Sequence, residues 1–224
     1  MQKTIAEDGI HVIRPLLGAG VIAGFLFVLV PLMEMFIRPG FDIKRHAISV
    51  LSLGELGWIQ IATFLVTGGL TVACAIGMRR VMYPGPSGAW GPLLIGIFGF
   101  GMIAAGIFST DPSFGFPPGA PAGMPTAMSW HAILHSIAFF MAFTALPVAC
   151  FVFVRRLASL GQTGWVAYCL ATGVATPALI ALGMGSIIAS GVAFFLAGIL
   201  VCVWVMAIAI HLMAEIHSEK GEIK

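Results

Sequence analysis

Charge is what this chain has least of. Asp, Glu, Lys and Arg make up 9% of its 224 residues, against about a quarter in an ordinary globular domain. So little charge cannot solvate the surface of a soluble domain of this size. The net charge of +2 is small and says nothing about nucleic acid, and no such partner is expected. Cysteine occurs four times, at Cys74, Cys150, Cys169 and Cys202. All four lie in apolar runs and none forms a CxxC pair. A disulfide framework is therefore not expected, and buried inert thiols are. No phosphate-cradling glycine loop and no nucleophilic serine elbow is present.

What the chain does have is apolar length. Hydrophobic residues make up 59% of it, and the mean hydropathy is +1.05. A membrane-spanning helix needs about 20 apolar residues. Six runs qualify, at about 16–36, 57–78, 91–109, 130–153, 164–184 and 190–212. Backbone groups in lipid must be satisfied internally, so each run is expected to be a helix. The expected fold class is all-α: one membrane domain over 1–224, a six-helix bundle. The apolar run near the start is too long for a signal-peptide core and is read as a retained span.

The cations orient the bundle. With the N-terminus inside, Lys3, Arg14, Arg79, Arg80, Arg155, Arg156, Lys220 and Lys224 fall on cytoplasmic segments. Arg38, Lys44 and Arg45 fall outside. Eight of the 11 cations are then inside, which predicts cytoplasmic termini. A multi-pass protein of an inner or plasma membrane is expected. Trp58, Trp90, Trp130 and Trp165 fall at span ends, where indoles prefer to sit. Small residues such as Gly20, Gly24, Gly96, Gly99, Gly101, Gly191 and Gly198 suit close helix packing.

Two outer loops, 37–56 and 110–129, hold the unusual residues. In the first, Asp42 is a candidate helix cap. Ile43, Ala47, Val50 and Leu51 recur at helical spacing, which predicts a short interfacial helix ended by Gly54. His46 and Ser49 would share a face of it. The second loop contains five prolines and three glycines and cannot be a regular element. It is either a rigid connection or a lid. Asp111 lies at its start. Just after it, "WHAILH" opens the fourth span, placing His131 and His135 on one stripe within two turns of the outer boundary. Glu34, near the outer end of the first span, is either another member of this level or a partner of Arg38 four residues on.

Ionisable groups at membrane depth raise the prior for function. Three neutral imidazoles, His46, His131 and His135, could hold Zn²⁺ and leave one position for water. Asp111 would then be a general base or orienting group, and Ser49 an oxyanion donor, acting on a lipid-like ester or amide. The competing expectation is non-catalytic: a lipid-interacting or scaffold protein whose polar cluster holds the two loops against the bundle. Transport is the third. It finds little at mid-membrane beyond Thr67, Thr172, Thr176 and Ser186, with Pro177 as a kink. The cytoplasmic-side histidines His11, His211 and His217 read as ordinary boundary residues. Composition leaves the oligomeric state open.

Three short motifs carry a resemblance. They are "HAIS" after the first span, "GIFSTDP" closing the third and "WHAILH" opening the fourth. Together the chain resembles the bacterial domain-of-unknown-function family 998 over about residues 15–212. That resemblance implies a six-helix membrane protein and no particular activity. By residue inventory alone, Ser49, His46, Asp111, His131 and His135 are also similar to the set in ceramidase and adiponectin-receptor-type intramembrane zinc hydrolases. Those proteins have seven spans and an HxxxH pair in the last.

Overall fold

The computed structural model describes residues 7–186 and 189–222. Lys3 and Lys224, counted for orientation, lie outside them. Six long helices carry the chain: α1 Glu7–Ile37, α2 Gly57–Met82, α3 Pro86–Ile107, α4 Trp130–Ser159, α5 Thr163–Gly185 and α6 Ser190–Glu222. The shortest apolar stretch, Pro86–Ile107, has 22 residues, about 33 Å at 1.5 Å per residue. All six helices are long and apolar enough to cross a bilayer. The protein is a multi-pass membrane protein. Each expected span lies within, or within two residues of, its helix.

Every helix packs on the one before and the one after it, and α1 also packs on α6. The six therefore close into a ring. Its interior is filled: Leu17, Met78, Phe98, Leu146, Phe153 and Trp204 are all fully buried. The Phe153 and Trp204 rings meet edge to face at 5.2 Å, and Trp204 Nε1 donates to Cys169 Sγ at 3.3 Å. All four cysteines are buried and free, as their apolar surroundings suggested.

Glycine decides how closely neighbours approach. A Cβ at Gly68 would lie 2.6 Å from the Gly99 carbonyl, and one at Gly99 would lie 2.8 Å from the Gly68 carbonyl. Backbone meets backbone there, and α2 and α3 can touch only because neither residue has a side chain. Gly96 differs from expectation, since its Cβ would reach only Ala75 at an ordinary 3.8 Å.

Because the chain runs up and down, the α1–α2, α3–α4 and α5–α6 connections share one end, called here the cap end. The other end holds the α2–α3 and α4–α5 turns. There Pro92, inside α3, has no N–H to offer the carbonyl four residues back. That carbonyl, Gly88 O, accepts from Arg79 at 2.7 Å instead, which fastens α2 to α3.

The interfacial helix predicted from Ile43 to Leu53 is shorter than expected. A single 3₁₀ helix occupies Ile48–Ser52. Asp42 closes one preceding turn, accepting from Lys44 N–H through Oδ1 at 2.9 Å and from Arg45 and His46 N–H through its carbonyl. The apolar spacing was real, but Ile48, Val50 and Leu51 are all buried, as an extended-then-turned segment pressed on the bundle allows.

Gly68→Ala is expected to lower the unfolding temperature in detergent, by an amount corresponding to about 1–3 kcal/mol, the usual cost of overpacking. Gly69→Ala, where a Cβ meets nothing within 4 Å, should leave it unchanged or raise it. Circular-dichroism melts of the two variants check this.

Candidate functional site

The cap is built from two irregular loops, 38–56 and 108–129. Their backbone groups cannot satisfy one another in a regular pattern, so side chains must do it. Arg38, at the end of α1, is the busiest of these. It is buried, pairs with Glu34 Oε1 at 3.2 Å, and donates to the carbonyls of Leu51, at 2.8 Å, and Leu53. Its guanidinium also lies 5.3 Å from the centre of the Phe116 ring. One cation thus joins α1, the first loop and the second loop. The Glu34–Arg38 pairing is the alternative that the four-residue spacing offered.

Phe116 is 1% exposed although it belongs to a loop. It sits in a two-residue turn, Ser113–Phe116, closed by hydrogen bonds in both directions. Phe114 and Gly115 both have positive φ, at 51° and 82°, as a type I′ turn needs. A phenylalanine in that region is uncommon. Its backbone is gripped on both sides: Phe114 N–H donates to Gly123 O at 3.1 Å, and Phe114 O accepts from His46.

His46 uses both ring nitrogens. Asp42 N–H donates to Nδ1 at 2.9 Å, so Nδ1 is the acceptor. Nε2 therefore carries the proton and donates to Phe114 O at 3.1 Å. The ring lies between Phe41 and Phe116, each with its centroid 5.5 Å away. The His46 carbonyl lies against Gly191 of α6, where no side chain would fit.

His135 is held the other way round. Its Nδ1 donates to Phe108 O at 2.8 Å, joining α4 to the end of α3. His131 sits half-buried against the neighbouring Trp130 ring. Asp111 Oδ2 accepts from Ser129 N–H at 2.8 Å, drawing together the two ends of the second loop. Ser129 Oγ in turn accepts from Ala132 N–H and caps α4. Ser49 contributes its carbonyl, which accepts from Ser52 Oγ at 2.7 Å.

The structure thus brings Asp111 and His135 to the α3–α4 corner, and His46 to the side where the first loop meets α6. The donor set does not fit the three-imidazole zinc centre. His46 has no nitrogen to offer a metal while it bridges Asp42 and Phe114. Among the described residues no group of three or more His, Cys, Asp or Glu side chains is placed to hold an ion.

From the sequence, Phe114 and Phe116 are expected to rest on the membrane interface; Phe116 is instead buried, which no periodicity announces in a proline-rich loop. Sequence reasoning also missed a knot at the opposite end. His211 Nε2 lies 2.8 Å from Gln162 Oε1 and 3.2 Å from Glu215 Oε1, and Gln162 Nε2 donates to Glu215 Oε1 at 3.0 Å. His211 is therefore more than a boundary residue, since it ties the α4–α5 turn to α6. Its spacing of four from Glu215 was the available signal.

The sequence model of the family described as "Protein of unknown function (DUF998)" matches residues 21–211. The motifs "HAIS", "GIFSTDP" and "WHAILH" all fall in or beside the cap. No curated protein and no solved structure matches the chain. The likeness to intramembrane zinc hydrolases gains no support from these comparisons.

Removing the His46 ring leaves Phe114 O without its donor and should cost about 1–3 kcal/mol. Arg38→Met leaves the buried Glu34 carboxylate alone and should cost more, about 3–5 kcal/mol. His131→Ala should stay within about 0.5 kcal/mol of the parent. Thermal unfolding of the three variants gives the order Arg38→Met, His46→Ala, His131→Ala from least to most stable.

Proposed function

We propose that this protein, which belongs to the DUF998 family, is a non-catalytic, lipid-embedded scaffold whose cap is a permanent seal over one end of the bundle. One observation carries the reading: the chemically versatile side chains of the cap bond to backbone groups of the loops. His46, His135, Asp111 and Arg38 all do so. A seal needs such bonds, because irregular backbone at membrane level must find partners inside the protein.

The outer wall supports the lipid-facing half of the reading. Phe36 is 84% exposed, and Met33, Ile107, Ile137, Val174 and Met184 are exposed beside it around the ring. In a bilayer these side chains face acyl chains. The filled interior, closed by Phe98, Phe153 and Trp204, argues against a through-pathway for ions or solutes.

The excess of cations at the opposite end supports a reading in which the cap lies outside the cytoplasm, and the proposed location is the inner or plasma membrane of a bacterium. Lys44 and Arg155 are exposed at opposite ends, and the four native cysteines are buried. An impermeant maleimide should label Lys44→Cys in intact cells, and Arg155→Cys only after permeabilisation. The reverse pattern overturns the orientation.

The sealing role is tested by metal content. Protein purified without chelator should carry no stoichiometric metal by mass spectrometry, and a His131→Ala/His135→Ala variant should match it. One zinc per chain, lost in the variant, would replace this reading with a metal centre.

A further inference from the structure

Beneath the cap lie two buried polar side chains with atoms that have no protein partner among the described residues. Glu34 is 1% exposed and its Oε2 is unpaired. Gln60 is 0% exposed, and both its Oε1 and its Nε2 are unpaired. A buried amide left unbonded loses its hydration with nothing in return. Thr67 and Thr172 each leave a hydroxyl unpaired as well, but Gln60 is the residue with two unpaired atoms, and Glu34 is on the neighbouring helix.

The packing of α1 on α2 puts them at one level. Gly20 faces Cys74, and Gly77 faces Leu16 and Leu17. The two helices run antiparallel. Glu34 lies fourteen residues beyond Gly20, and Gln60 lies fourteen before Cys74. Fourteen residues are close to four turns, so both also return to about the same face. Below Gln60 the buried face of α2 continues through Thr63, Thr67 and Thr71. Thr63 and Thr71 bond back to their own helix, while Thr67 Oγ1 is also unpaired. Cys74 and Met78 then end the polar strip.

We propose that the α1–α2 interface under the cap binds a neutral hydroxyl or amide group. The charge balance selects for neutrality. Glu34 and Arg38 already cancel, and a further buried charge would have no counter-ion. The free atoms select for a group that both donates and accepts. Gln60 offers one of each, and Glu34 Oε2 and Thr67 Oγ1 extend the set. The apolar end of the strip, at Cys74 and Met78, allows for no onward path. The site is therefore one for binding. It does not depend on whether the cap seals, because the free Oε2 of Glu34, the Gln60 amide and Thr67 Oγ1 bond to neither loop. The group can be the head of a bilayer amphiphile or a free small molecule.

The chain has three glutamines, Gln2, Gln60 and Gln162, so ¹⁵N-glutamine labelling gives three side-chain amide pairs. Gln60→Leu assigns the Gln60 pair by its loss. If that variant does not fold, Gln60→Asn does the same. Full-length protein in nanodiscs is titrated with octanamide, with propanamide, and with decane as the apolar control. The expected result is a saturable shift of the Gln60 pair with the Gln162 pair unmoved, and at least tenfold weaker octanamide binding in the Gln60 variant by isothermal titration calorimetry. A shift by octanamide alone points to a bilayer source, and a shift by both amides to a soluble one. No saturable shift by either amide, a shift equal to that of decane, or contact with water alone overturns the proposal.

Discussion

A single guanidinium holds the cap together. Arg38 is a permanent cation placed where water is scarce, so it is tolerable only if its donors and its charge are both answered. Glu34 answers the charge, the Leu51 and Leu53 carbonyls take the donors, and the Phe116 ring covers a face. Those groups belong to three stretches of chain: α1, the first loop and the second loop. The same requirement that makes Arg38 costly therefore makes it a fastener, because no stretch can leave without exposing an unmet charge or carbonyl.

The histidines follow the same logic with neutral groups. His46 is an Nε2–H tautomer fixed by an amide on one side and a carbonyl on the other. His135 is an Nδ1–H tautomer fixed by the carbonyl at the end of α3. Both do work that a regular helix would do for itself. Proline-rich and glycine-rich loops lack N–H groups or fixed geometry, so their carbonyls need outside donors. An imidazole reaching from a neighbouring loop is a compact way to supply one. This explains why imidazoles gather at membrane depth without converging on a common point.

The helices were legible because a bilayer leaves few choices. A run of about 20 apolar residues has one way to satisfy its backbone, and Trp58, Trp90, Trp130 and Trp165 marked the ends. The Glu34–Arg38 pair was legible from its spacing of four. The short first-loop helix was not, because burial from both sides mimics helical periodicity in a segment that only turns. The zinc site was inferred from residue types at one membrane level. Level is visible in the sequence, but azimuth around the ring is not, and azimuth decides which side chains meet. Gln60 escaped notice for a related reason: a lone carboxamide near a span end looks like a boundary residue until its helix is seen packed on α1.

The account rests on Arg38 coupling two loops that are far apart in the chain. Hydrogen–deuterium exchange of the parent and of Arg38→Gln in nanodiscs tests this directly. The predicted result is simultaneous loss of protection in residues 41–57 and 113–123, with the middle of α2 to α5 unchanged. Loss confined to residues 51–54, with the Ser113–Phe116 turn still protected, would contradict it.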